Sequence, residues 1–129
     1  MARILLVDDN TSILIPLELY LNDIDHEVVG KAASAEEGVA MARALKPDLI
    51  VMDINMPGEM DGIDAAGIIK GDLKIPSIFI TGYARRDYFD RAQRLDPLGF
   101  ILKPFRMGEV RAIIEIALNK TQGRRYPLA

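Results

Sequence analysis

The sequence has no cysteine, which excludes disulfides, zinc–thiolate sites and cysteine nucleophiles. Histidine occurs once, at His26, and there is no HExxH zinc motif, no Walker-type glycine loop and no dinucleotide fingerprint. An excess of positive charge is also missing. A formal net charge of -3 and a pI of about 5.1 argue against a general nucleic-acid binder and give no reason to invoke an anionic membrane surface. No apolar run approaches the roughly 18 residues needed to span a bilayer. The opening segment Met1–Val7 looks like a short signal core, but Asp8-Asp9 interrupts it at once and excludes a signal peptide. These absences are compatible with the cytoplasm, the expected location. Internal repeats and interdomain linkers are lacking too, as expected of one domain at 129 residues. Half of the residues are apolar and 27% are charged, enough for one sizeable core and unlike a disordered chain.

What is present is an alternation of short apolar runs and helical stripes. The runs are Ile4–Val7, Val28–Val29, Leu49–Met52, Ile78–Ile80 and Phe100–Leu102. Four are nearly continuous, as in parallel strands buried on both faces. The second is weaker and reads as an edge strand. Between them lie stripes at helical spacing: Ile13, Leu14, Leu17, Leu21 and Ile24; then Val39, Ala42 and Leu45 behind a capping box at Ser34–Glu37. Ile63, Ala66 and Gly67 mark a third helix ending before Gly71, Tyr88–Leu95 a fourth and Val110–Ala117 a fifth. The alternation predicts an α/β domain with a parallel sheet and right-handed crossovers. Pro16 falls inside the first helix, where it removes a backbone hydrogen bond and predicts a kink. The segment 120–129 reads as a C-terminal tail.

Polar residues sit just past the runs: Asp8 and Asp9 after the first, Asp53 after the third, Thr81 after the fourth, Lys103 after the fifth. Ligands of open parallel sheets bind outside the carboxyl ends of the strands, so these side chains should share one crevice. Two like charges about 4 Å apart cost about 4 kcal/mol at an effective dielectric of about 20. Three clustered carboxylates therefore need counter-charge or shifted pKa values. Lys103 supplies one positive charge; a hard cation such as Mg²⁺, Mn²⁺ or Ca²⁺ suits the oxygen ligands. A carboxylate, a hard cation, a lysine and a hydroxyl together suit phosphoryl transfer, with the carboxylate as nucleophile. Taken singly, the same residues have plainer roles. Asp8-Asp9 fits a helix cap, Lys103 a snorkelling surface lysine, Phe100 a core residue and His26 a surface residue. Arg85, Arg86, Arg91 and Arg94 make the fourth helix basic, either as a solvated face or as a docking surface for an acidic partner.

In order, Leu6-Val7-Asp8-Asp9, Pro47–Asp53, Asn55-Met56-Pro57, Met60-Asp61-Gly62, Ile80-Thr81-Gly82 and Gly99-Phe100 through Lys103-Pro104-Phe105 resemble bacterial response-regulator receiver domains of the chemotaxis-regulator type. The resemblance spans about residues 2–119, giving a receiver domain at 1–119. It implies a doubly wound, flavodoxin-like three-layer sandwich with a five-stranded parallel sheet in the order 2-1-3-4-5. It also implies that Asp53 accepts a phosphoryl group from a histidine kinase or a histidine phosphotransfer protein. Mg²⁺ (or Mn²⁺) would be held by Asp9 and Asp53, by Asp8 through water, and by the backbone carbonyl of Asn55. Lys103 would pair with the phosphoryl group. Thr81 and Phe100 would form a switch pair, and Lys103-Pro104 a cis peptide bond. The face of helix 4, strand 5 and helix 5 would meet an effector protein or a second copy of the chain.

Two departures stand beside the site. Pro57–Gly62 is one residue longer than the family spacing, and Tyr83, two positions after Thr81, reads either as a half-exposed loop aromatic or as a shield of the acyl phosphate against water. The resemblance implies a stand-alone signalling module without turnover activity or direct contact with nucleic acid. Two other functions fit the fold: an aspartyl-phosphate phosphohydrolase, whose usual Asp-x-Asp after the first strand is absent here, and a phosphorylation-independent adaptor, which would not need the acidic set.

Overall fold

Residues that favour a pleated, doubly buried surface make the strands, and amphipathic stretches between them make the helices. The computed structural model describes residues 1–82 and 86–122; Tyr83, Arg85 and the segment 123–129 lie outside them. Along the chain run β1 Arg3–Val7, α1 Thr11–Asp23, β2 Glu27–Ala32, α2 Ala35–Leu45, β3 Leu49–Asp53, α3 Gly62–Leu73, β4 Ser77–Thr81, α4 Arg86–Gln93, β5 Gly99–Leu102 and α5 Met107–Gln122. The strands form one parallel sheet in the order β2-β1-β3-β4-β5, as expected.

Alternation along each strand divides the core in two. Leu5, Val7, Ile50, Met52 and Phe79 face α2, α3 and α4, where they meet Ala42, Ile69 and Ala92. Ile4, Leu6, Leu49, Val51, Ile78 and Ile101 face α1 and α5, where they meet Leu17, Leu21, Val110 and Ile114. Every residue of β3 and β4 is buried, which is why those runs are continuously apolar. The edge strand β2 is longer than its apolar pair Val28–Val29 indicates. It runs through Gly30 and Lys31 to Ala32, and its pairing with β1 shifts register between Ile4 and Leu5.

The helix ends show where local chemistry wins. Asn10 caps α1, its side chain accepting the Ser12 N–H. Ser34 caps α2 by accepting the Glu37 N–H at 3.1 Å, while Glu37 reaches the amide of Ala33 at 3.2 Å rather than that of Ser34. α1 runs as one helix through Pro16, which lies on its solvent side. α3 continues past Gly71 to Leu73, because Gly71 faces open space and the stop comes from the left-handed Lys74. α5 runs through Gln122, so the first three residues of the expected tail are helical. Lys120 there donates to the carbonyl of Leu98 at 3.3 Å.

Candidate functional site

β1 leaves for β2 on one side and the chain returns to β3 on the other, so a crevice opens beyond their carboxyl ends. Asp8 follows β1 directly, and Asp53 is the last residue of β3. Both are buried, at 2% and 3% exposure, although they are carboxylates. Asp9 is exposed at the mouth. One oxygen from each of Asp8, Asp9 and Asp53 lies within 4.8 Å of the others, so the three predicted acidic residues do converge.

Lys103 reaches in from the end of β5. Its Nζ is 2.9 Å from Asp8 Oδ2 and 3.6 Å from Asp53 Oδ2. The backbone fixes its place, since the Lys103 N–H donates to the Thr81 carbonyl at 2.8 Å. The Lys103-Pro104 bond is cis, as expected. The Asp8 contact is an ion pair without hydrogen-bond geometry, leaving buried Oδ2 with no hydrogen bond. Asp8 Oδ1 accepts the Asn10 N–H at 2.9 Å. The helix cap itself is Asn10, so capping does not account for Asp8 and Asp9.

One lysine does not balance this crevice. Burial, and next the charge of Asp8, push the Asp53 carboxyl from 3.8 up to about 7, against the pull of Lys103 and the Asn55 amide. That amide donates to Asp53 Oδ1 at 3.4 Å. Asn55 itself is exposed beside the crevice. A buried carboxylate oxygen that has an ion pair but no hydrogen bond, within a cluster of hard oxygen donors, fits a divalent cation of the Mg²⁺ or Mn²⁺ type.

Thr81 ends β4 and is buried at 4% exposure. Phe100 pairs in register with Phe79 on the neighbouring strand. Its half-buried ring lies 5.9 Å from the Phe79 ring and 4.7 Å from that of Phe89 on α4. Thr81, Phe89, Phe100 and Leu102 line a cleft of about 560 Å³ between α4 and β5. Tyr83, proposed as a shield, lies outside the described residues.

A contact between α3 and α4 carries no signal in the sequence. Arg91 on α4 donates to Asp61 Oδ2 at 2.9 Å and to Asp64 Oδ1 at 3.0 Å. It is therefore engaged within the chain and does not belong to a freely solvated basic face; Arg86 and Arg94 remain exposed. Asp61 and Asp64 form a reciprocal capping box at the start of α3. That box is visible as an Asp-x-x-Asp spacing; the distant arginine is not.

This fold and crevice define a doubly wound α/β regulatory module. Residues 4–115 match the model of the response regulator receiver domain, and the chain belongs to that family. It is 34% identical over 118 residues to the transcriptional regulatory protein PdtaR of Mycobacterium tuberculosis, covering 92% of this chain and 57% of that protein. It is 35% identical over 125 residues to the phyllosphere-induced regulator PhyR of Methylorubrum extorquens, covering 96% of this chain and 46% of that protein. The chain thus spans about half the length of these curated relatives. Among solved structures it is similar to the signal receiver domain of a modulated diguanylate cyclase from Desulfovibrio desulfuricans. That match has a TM-score of 0.88 at 30% identity, covering 95% of this chain and 97% of the other. A CheY-like receiver domain protein from Methanospirillum hungatei gives 0.87 at 27% identity, covering 96% and 98%. Receiver domains of this family serve two-component signalling. Among the described residues, no helix is long and apolar enough to cross a membrane.

Proposed function

We propose that this chain carries a transient phosphoryl group on Asp53, taken from a phosphohistidine of a histidine kinase or a histidine phosphotransfer protein. The observation that carries the proposal is the buried Asp53 carboxylate, its pKa pushed up to about 7 beside Asp8 and Lys103. A structural aspartate is normally placed where its charge is satisfied; this one is placed where added positive charge is needed.

Asp8, Asp9, Asp53 and the Asn55 carbonyl would hold Mg²⁺ (or Mn²⁺). When bound, that cation supplies the positive charge that the carboxylates and the phosphoryl oxygens require. Asp53 is the nucleophile: one oxygen forms a bond to phosphorus as the phosphorus–nitrogen bond of the donor breaks, and the electron pair leaves on the imidazole. Lys103 Nζ, now turned towards Asp8, is within reach of a phosphoryl oxygen. The Thr81 hydroxyl donates to another oxygen, and Phe100 follows it into the cleft between α4 and β5. Phe89 and Leu102, 45% and 58% exposed beside that cleft, then present an altered face to an effector protein. The chain is a regulatory module of the cytoplasm, and its output is contact rather than turnover.

Beryllofluoride, which mimics a phosphoryl group on a carboxylate, tests this directly by fluorine NMR. Wild-type protein with Mg²⁺ is expected to give a bound signal that disappears without the metal and in Asp53→Asn. An unchanged signal in Asp53→Asn would refute the assignment.

A further inference from the structure

Asp53 does not stand on its strand alone. The chain leaves β3 at Ile54 and returns to the same point at Gly62, whose N–H donates to the Ile54 carbonyl at 3.0 Å. This neck has no slack. A Cβ placed on Gly62 would lie 1.9 Å from the Asp53 carbonyl oxygen and 3.0 Å from the Ile54 Cα. Any displacement of residue 62 therefore reaches the backbone of Asp53. The crest of the loop contributes little restraint, because Pro57, Gly58 and Glu59 are exposed and Gly58 takes a φ of 120°.

Asp61 is the residue at the neck that is fastened from outside. Its Oδ1 accepts the Asp64 N–H at 2.8 Å. Arg91 grips it with both terminal nitrogens, at 2.9 and 3.4 Å, and spans to Asp64 at 3.0 Å. Partial burial pushes the Asp61 carboxyl up, but the Asp64 amide and the Arg91 guanidinium hold it below the usual carboxylate range. A planar fork sets two nitrogens on one carboxylate while reaching a second; an ammonium, with a single nitrogen, cannot reproduce that two-point grip. Arg91 belongs to α4, an eight-residue helix that buries one residue, Ala92. An element anchored so lightly is easily displaced.

We propose that Arg91 is a positioning residue for the acidic crevice: by gripping Asp61 it holds the backbone beneath Asp53, and so makes the affinity of the crevice for a divalent cation depend on where α4 sits. The proposal rests on the crevice taking such a cation. By reciprocity, a partner that draws α4 away weakens cation binding, and cation binding resists that withdrawal.

Two readouts on the full chain test this: Mn²⁺ affinity by spin-resonance titration, and hydrogen exchange of the Gly62 amide in metal-free protein. Arg91→Ala is expected to weaken Mn²⁺ binding roughly threefold to tenfold and to speed Gly62 exchange. Arg91→Lys should recover less than half of the loss. In an Asp61→Asn background, which keeps the cap but removes the grip, Arg91→Ala should add less than about a twofold change. Should the alanine variant fail to fold, Arg91→Lys carries the same comparison. An Mn²⁺ affinity within about twofold of wild type, or an Arg91 effect undiminished by Asp61→Asn, would overturn this proposal alone. A wild-type protein that binds no Mn²⁺ would overturn the functional proposal as well.

Discussion

Two groups of charges in this protein each set one cation against a pair of aspartates, and they behave in opposite ways. In the first, Lys103 meets Asp8 and Asp53 at 2.9 and 3.6 Å, and the carboxylate side chains are 3% and 4% exposed. In the second, Arg91 meets Asp61 and Asp64 at 2.9 and 3.0 Å, and the carboxylate side chains are 25% and 49% exposed. Burial raises the Asp53 pKa to about 7, whereas backbone and guanidinium donors lower that of Asp61. The difference lies first in donors and water, and then in the third carboxylate, Asp9, which only the crevice has. Asp61 and Asp64 close on each other's amides and on a forked cation. Asp8 keeps one buried oxygen without a hydrogen bond. The satisfied group serves structure; the unsatisfied group is ready for a ligand.

The two groups are joined at Gly62, and breaking that joint should have the largest effect. Gly62→Ala forces a methyl group against the Asp53 backbone, where no flexible side chain can yield. Thermal or urea unfolding should show a loss of roughly 3 kcal/mol or more.

Relief of the crowded crevice should come next, with the opposite sign. Because burial and the charge of Asp8 push the Asp53 carboxyl from 3.8 up to about 7 in the folded protein, the folded protein binds more protons in between. Its stability therefore falls as pH rises across that window. In chelator-treated protein, Asp53→Asn should stabilise by about 2 kcal/mol at about pH 8, with the gain vanishing towards about pH 4. A gain that does not change with pH would contradict the burial argument.

Breaking the satisfied group should cost less and depend little on pH near neutrality. Arg91→Ala should destabilise by about 1 kcal/mol, as a forked but partly exposed ion pair warrants. The cost should fade in acid as Asp61 becomes protonated.

The smallest expected effect sharpens the contrast with Asp53. His26 Nδ1 accepts the Ala2 N–H at 3.1 Å, and burial lowers its pKa from 6.5. Protonation costs that bond, so the contribution is complete above 6.5 and is lost as pH falls below it. Comparison with His26→Gln should reveal a few tenths of a kcal/mol.

The crevice was legible in the sequence because its residues follow strands that are buried on both faces. A continuous apolar run such as Leu49–Met52 announces both the strand and its end, and topology does the rest. Val28–Val29 marks only part of β2, because an edge strand tolerates Gly30 and Lys31. Gly71 is not the helix stop, because the chain turns left-handed only at Lys74. The Arg91 grip was hidden because its partners lie 30 and 27 residues away and only packing brings α3 and α4 together. The capping box at Asp61 and Asp64 was there to be read; its second role was not.

The most direct test of the account is intact-mass measurement after incubation with acetyl phosphate and Mg²⁺. The account predicts one added phosphoryl group on the wild-type chain, mapped to Asp53 and absent from Asp53→Asn. A wild-type chain that never gains the group, or an Asp53→Asn variant that gains it equally well, would contradict the account.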